Sequence, residues 1–133
     1  MSTETPDAAP DHMDYARRAL RTAQLNLDDS DWVGSVNRSY YAVFYAANAL
    51  LSLEHEQRSK HSHVIALFRQ RYVKTGLIEK EYSDIYGEAF DNRIESDYDL
   101  LEFPTRKLAE DMRQKAQRFV ERVQRLLAEK HED

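Results

Sequence analysis

Arg93 and Asp97 stand one helical turn apart, with Asn92 and Tyr98 beside them. These side chains are well suited to holding an anion or an internal ion pair. A guanidinium is a planar fork whose N–H groups match two oxygens of a phosphate or a carboxylate. If the helix that carries Ile78, Tyr82, Ile85 and Ala89 runs on to about Leu100, Arg93 falls on the same apolar stripe. An unpaired charge there is very costly. Either Asp97, four residues on, neutralises it and fixes the helix, or the fork faces a cleft and takes a phosphate.

A second group opens the next candidate site. His61 and His63 follow Arg58-Ser59-Lys60 at the start of a predicted helix. Two positions apart, they do not share a helical face, so a metal pair is not expected. A basic helix start suits an anion, because its N–H groups and dipole point outward; a solvated cap is the plainer alternative. His12, His55 and His131 are expected at the surface. There is no cysteine, which excludes disulfides and thiolate chemistry. No Gly-rich phosphate loop or zinc-type spacing occurs, and no cofactor or metal is expected.

The elements that must position these groups are helices. From Ser39 to Leu53, fifteen consecutive residues carry no charge, in a chain that is 32% charged. A helix without charge on any side must be covered on every side, so this segment is the predicted centre of the fold. Its stripe Val36, Tyr40, Val43, Ala47 and Leu50 should face the core. Ala42, Ala46 and Ala49 form a narrow strip that admits another helix closely. Arg38, Tyr41, Tyr45, Asn48 and Ser52 lie on roughly the opposite side. Tyr-rich, charge-poor surfaces with an occasional Arg are what interfaces select. The expectation is a homodimer through Arg38, Tyr41, Tyr45 and Asn48, with the alternative that the other helices surround this face.

The remaining periodicity predicts a first helix over about Asp11 to Leu27, with Met13, Ala16, Leu20, Ala23 and Leu27 in step. Asp28-Asp29-Ser30-Asp31 supplies a turn and an N-cap for the second helix, which runs to about Glu54. A third spans about Lys60 to Lys74 and stops at Gly76. The fourth begins near Leu77, and the fifth runs from Pro104 to about Lys130 with Leu108, Met112, Ala116, Phe119, Val123 and Leu126 inward. Residues 1–10 read as a disordered tail and 11–130 as one all-α domain, an antiparallel up-and-down bundle. The tail lacks a secretory signal's apolar core. The uncharged run falls short of the about 20 apolar residues that span a bilayer. A cytoplasmic protein away from membranes is expected. With 24 acidic against 19 basic residues and a net charge of -5, any nucleic-acid contact needs a local pocket rather than a basic footprint.

In order along the chain, Ala19-Leu20 through Asp31-Trp32, Asn37-Arg38-Ser39-Tyr40-Tyr41-Ala42-Val43-Phe44, Ala49-Leu50-Leu51, Lys60-His61-Ser62-His63-Val64, Phe68, Lys74-Thr75-Gly76 and Arg93 with Asp97-Tyr98 resemble the HEPN-domain family. The likeness is to its small single-domain prokaryotic members and covers about residues 13 to 125. It implies a four-helix bundle with an extra short helix, and a dimer that sets two polar motifs in a shared cleft. Many members are metal-independent ribonucleases bearing Arg-x4-6-His, and often act as toxins beside a nucleotidyltransferase-like antitoxin. In that chemistry the His serves as acid and base on a ribose 2′-OH and the Arg steadies the phosphate. Here the position after Arg93-x4 is Tyr98, whose ordinary pKa near 10 makes a poor base at neutral pH. Arg58-x4-His63 and Arg125-x5-His131 fit the spacing but lie elsewhere in the chain.

The resemblance therefore implies a dimeric module whose cleft holds Arg93 and Tyr98 with Asn37, Arg38, Tyr41 and His61. It would bind a nucleotide or RNA phosphate, or a nucleotidyltransferase-fold antitoxin, with the ribonuclease motif degraded. Two other readings stay open: an active ribonuclease toxin using His61 or His63, and a helical interaction protein without a ligand.

Overall fold

A computed structural model describes residues 9–98 and 104–131, with side chains given outside 94–98 and 131. The side chains of Asp97, Tyr98 and His131, the chain around Leu100 and most of the predicted tail therefore lie outside the described residues. Among the described residues every regular element is helical: α1 (Ala9–Asp28), α2 (Trp32–Ser52), α3 (His61–Phe68), α4 (Lys80–Tyr98) and α5 (Arg106–His131). α1 begins two residues before the expected start. Pro10 fits its first turn, where a missing N–H is harmless.

α2 is the centre. Fourteen of its 21 residues are buried, and it packs on α1, α3, α4 and α5. Most of the chargeless segment is thus covered within the single chain, with Tyr41, Tyr45 and Leu53 left half-buried. α1 packs on it most extensively, with Ala9, Ala16, Ala19 and Ala23 buried; small residues let two backbones come close. The α1–α2 turn is tied by Asp31. Its carboxylate accepts from the Gly34 N–H at 2.9 Å and from the Asn26 amide at 3.3 Å, the N-cap the sequence predicts. A Cβ on Gly34 would stand 2.3 Å from that carboxylate, so glycine makes room for the cap.

The third helix differs from expectation. After Phe68 the chain widens into one π-helical turn, Arg69–Val73, where the Lys74 N–H reaches back five residues to the Arg69 carbonyl at 2.8 Å. The wider turn lets Arg69 lie on α4, donating from Nε to Ser83 Oγ at 2.9 Å. Tyr72, in the same turn, donates to the Leu50 carbonyl at 2.9 Å. Gly76 then reverses the chain at φ 83°. α4 runs antiparallel to α5, and their partly solvated seam is clipped by Glu79–Arg122, just before α4, and by Glu81–Arg118 and Glu88–Lys115 pairs, each at 2.9 Å. The predicted inward residues of α4 and α5 are buried, with Leu108 partly so.

Candidate functional site

The site is assembled on the second and third turns of α2 by a loop that doubles back. After α2 ends, residues 53–60 return along it, and Asn48 holds them there. Its amide donates to the Arg58 carbonyl at 2.8 Å and its Oδ1 accepts the Arg58 N–H at 3.1 Å. Asn48 is only 4% exposed, so the side chain expected on a partner-facing surface is spent inside its own chain. Ser52 is buried as well and donates to the Ala49 carbonyl at 2.7 Å. The reason is local: a helix amide reads and fixes a neighbouring strand of backbone as readily as a partner's.

Three residues beyond Arg58, α3 opens with His61 beside α2. Its Nδ1 lies 2.8 Å from the Tyr40 hydroxyl. The imidazole packs on Phe44, centroid to centroid 4.3 Å, and meets the edge of Tyr41 at 5.7 Å. From α4, the Arg93 guanidinium sits over the Tyr40 ring at 5.3 Å and the Tyr41 ring at 5.8 Å. Arg38, one turn before Tyr41 on α2, lies over that same ring at 4.6 Å. Two guanidiniums therefore converge on one half-buried tyrosine, with an imidazole at its edge. Cation–π contacts of this kind are worth about 0.5–2 kcal/mol, more as they are desolvated.

The electrostatics follow from this packing. Burial, helped by the Arg93 charge, lowers the pKa of His61 below its ordinary value. A ring that is neutral at pH 7 can both donate and accept. Burial pushes the Tyr40 phenol far up, against the pull of Arg93 and with a smaller push from Tyr41, so it keeps its proton. An acidic chain thus brings two guanidiniums and an imidazole together against a cluster of aromatic rings.

Of the predicted site residues, Arg38, Tyr41, Arg93 and His61 come together. Asn37 is half-buried on α2 next to Arg38. Tyr45 is half-buried, 5.9 Å from Tyr41. His63 is exposed, away from these rings, and Tyr98 lies outside the described side chains. His12, expected at the surface, is half-buried with Nδ1 enclosed, and burial lowers its pKa, with Asp11 opposing.

Three contributors are not evident from the sequence. Periodicity places Tyr40 in the core stripe, and it is fully buried; the signal that points further is its hydroxyl, which requires a partner when buried. Phe44 supplies the packing face for His61. Tyr15 of α1, 48% exposed and 5.5 Å from Tyr45, extends the aromatic patch across two helices.

The chain is 38% identical over 113 residues to a "UPF0332 protein" of Thermotoga maritima, covering 84% of this chain and 85% of that one. It is 32% identical over 117 residues to "Putative toxin MJ0605" of Methanocaldococcus jannaschii, covering 88% and 87%. The crystal structure of TT1696 from Thermus thermophilus superposes with a TM-score of 0.77 at 19% identity, over 90% of this chain and 98% of that one; this likeness concerns the fold. The HEPN domain matches residues 9–126, a span that holds the covered α2, the α3 histidine and the α4 arginine. The chain belongs to the HEPN-domain family.

Proposed function

We propose that this chain is a toxin-type HEPN module that acts on RNA by taking a backbone phosphate at Arg93 and Arg38, beside the His61 imidazole. The carrying observation is the convergence of both guanidiniums on the Tyr41 ring, at 4.6 and 5.8 Å. Aromatic backing holds each fork in place, so less side-chain freedom is lost when a phosphate arrives. Relatives named as toxins support the toxin-type reading. The half-buried Tyr41 and Tyr45, with exposed Tyr15, support a homodimer through the α1–α2 aromatic patch, which sets two such sites near one another. A nucleotidyltransferase-fold antitoxin is the proposed protein partner.

One observation favours a second reading, that of a metal-independent ribonuclease. His61 is the imidazole that the fold delivers to Arg93, and a neutral ring there has the residue type needed to move a proton to or from a ribose hydroxyl. One experiment tests both. Purified protein is mixed with fluorescein-labelled single-stranded RNA in EDTA, anisotropy is recorded, and the products are run on a denaturing gel. Binding without cleavage, weakened roughly 10-fold or more by Arg93→Ala, is expected. Arg93-dependent and His61-dependent cleavage establishes the second reading. RNA that neither binds nor breaks, or that binds Arg93→Ala as tightly as the wild type, overturns both.

A further inference from the structure

The Tyr40–His61 contact has a direction, and the direction decides what the imidazole offers a ligand. Tyr40 is fully buried, its ring is covered by Arg93, and its hydroxyl lies 2.8 Å from Nδ1. A phenol is a strong neutral donor and a bare imidazole nitrogen a strong acceptor. The favoured arrangement therefore has the phenol donating to Nδ1, and the ring's proton must then reside on Nε2. The reverse arrangement would oblige a buried phenol oxygen to accept and its own hydrogen to find a separate acceptor. The positive charge of Arg93 beside both rings also disfavours a doubly protonated imidazole.

We infer that Tyr40 is a positioning residue that commits His61 to the Nε2–H tautomer, so that the imidazole and the Arg93 guanidinium present neighbouring donors to one phosphodiester of RNA. This rests on the RNA-phosphate reading above and sharpens it. With the proton already on Nε2, His61 is a neutral phosphate donor and not a ready acceptor for the 2′-OH proton. The same tyrosine couples the two donors physically, because Arg93 rests on the ring whose hydroxyl orients His61. In a chain of net charge -5, a donor that adds no charge leaves Arg93 unrepelled while completing the grip.

The test uses the full chain labelled with 15N-histidine. Long-range 1H–15N spectra separate protonated from bare ring nitrogens, and the His61 signals are assigned by their loss in His61→Gln. The wild type is expected to show bare Nδ1 and protonated Nε2 at His61. Tyr40→Phe, which keeps the ring and its place under Arg93, is expected to move both nitrogens toward the averaged values of a freely exchanging imidazole. In anisotropy with labelled oligouridine, Tyr40→Phe should bind roughly 2- to 10-fold more weakly, the worth of one oriented hydrogen bond. His61→Gln, whose amide supplies a neutral N–H, should bind better than His61→Ala. Protonated Nδ1 in the wild type overturns the assignment, and so does an unchanged tautomer in Tyr40→Phe; the wild-type spectrum suffices if that variant fails to fold. If wild-type spectra and the Tyr40→Phe shift come out as expected but oligouridine does not bind, the RNA reading falls and Tyr40's orienting role stands. If oligouridine binds through Arg93 while the tautomer ignores Tyr40, the reverse holds.

Discussion

Replacing Asn48 tests whether the site is held by its loop. In Asn48→Ala the two bonds to the Arg58 backbone, at 2.8 and 3.1 Å, are lost and nothing in the alanine replaces them. At about 0.5–1.5 kcal/mol net per bond, the cost is about 1–3 kcal/mol. For a chain of this length that amounts to a fall in Tm of roughly 4–10 °C. Asn48→Asp separates the two bonds. Its carboxylate still accepts the Arg58 N–H but now opposes the Arg58 carbonyl, acceptor against acceptor. The folded state therefore raises the pKa of the new carboxyl above its unfolded value of about 3.9. The stability of the protonated form is fully present below the unfolded pKa and is lost as pH rises through the folded one. Urea unfolding at pH 7 and at about pH 4.5 should show the Asn48→Asp deficit shrinking in acid, relative to wild type at each pH, while the Asn48→Ala deficit stays constant. An Asn48→Ala protein within about 0.5 kcal/mol of wild type, which is ordinary for an exposed site, would refute the clamp. Identical pH behaviour in the two variants would refute the hydrogen-bond assignment.

Gly76→Ala should lower stability by about 1–2 kcal/mol, because φ is 83° there while the space around it is open; urea midpoints with an unchanged m-value check this. His12 and His61 both have pKa values lowered by burial, with Arg93 adding to the shift at His61 and Asp11 opposing it at His12. For a depressed histidine the stability is complete above the unfolded value of about 6.5 and is lost as pH falls below it. Wild-type unfolding midpoints should therefore drop between pH 7.5 and 5.5, and His61→Gln should drop less over the same interval. An equal drop would remove His61 from the account.

The helices are legible because their signals are periodic and redundant. Met13 to Ala23, Val36 to Leu50 and Met112 to Leu126 each repeat the helical step often enough to override local noise, and Asp31 and Gly76 mark ends by mechanism. The π turn leaves no comparable sign: shifting one hydrogen bond from the fourth to the fifth residue back changes no residue type. Asn48 misleads for a geometric reason. A helical wheel assigns a side but not the neighbour on that side, and the path of residues 53–60 decides that neighbour. Arg93, Arg38, Tyr41 and His61 can be picked out by type, yet their meeting depends on α4 packing against α2 and, for His61, on that same returning loop. His12 shows the limit in miniature, since one polar residue near a helix start says nothing about what packs over it.

The α4–α5 seam has a thermal consequence. Water holds isolated charges less strongly as temperature rises, so pairs such as Glu79–Arg122 lose less on docking when hot, whereas apolar burial gains little more per unit area. A scaffold that clips one helix to its neighbour through ion pairs on its partly solvated edge can be tuned for hotter growth by editing residues along that single edge. The inner wall, and the arginine that α4 carries toward the rings, stay untouched by such tuning.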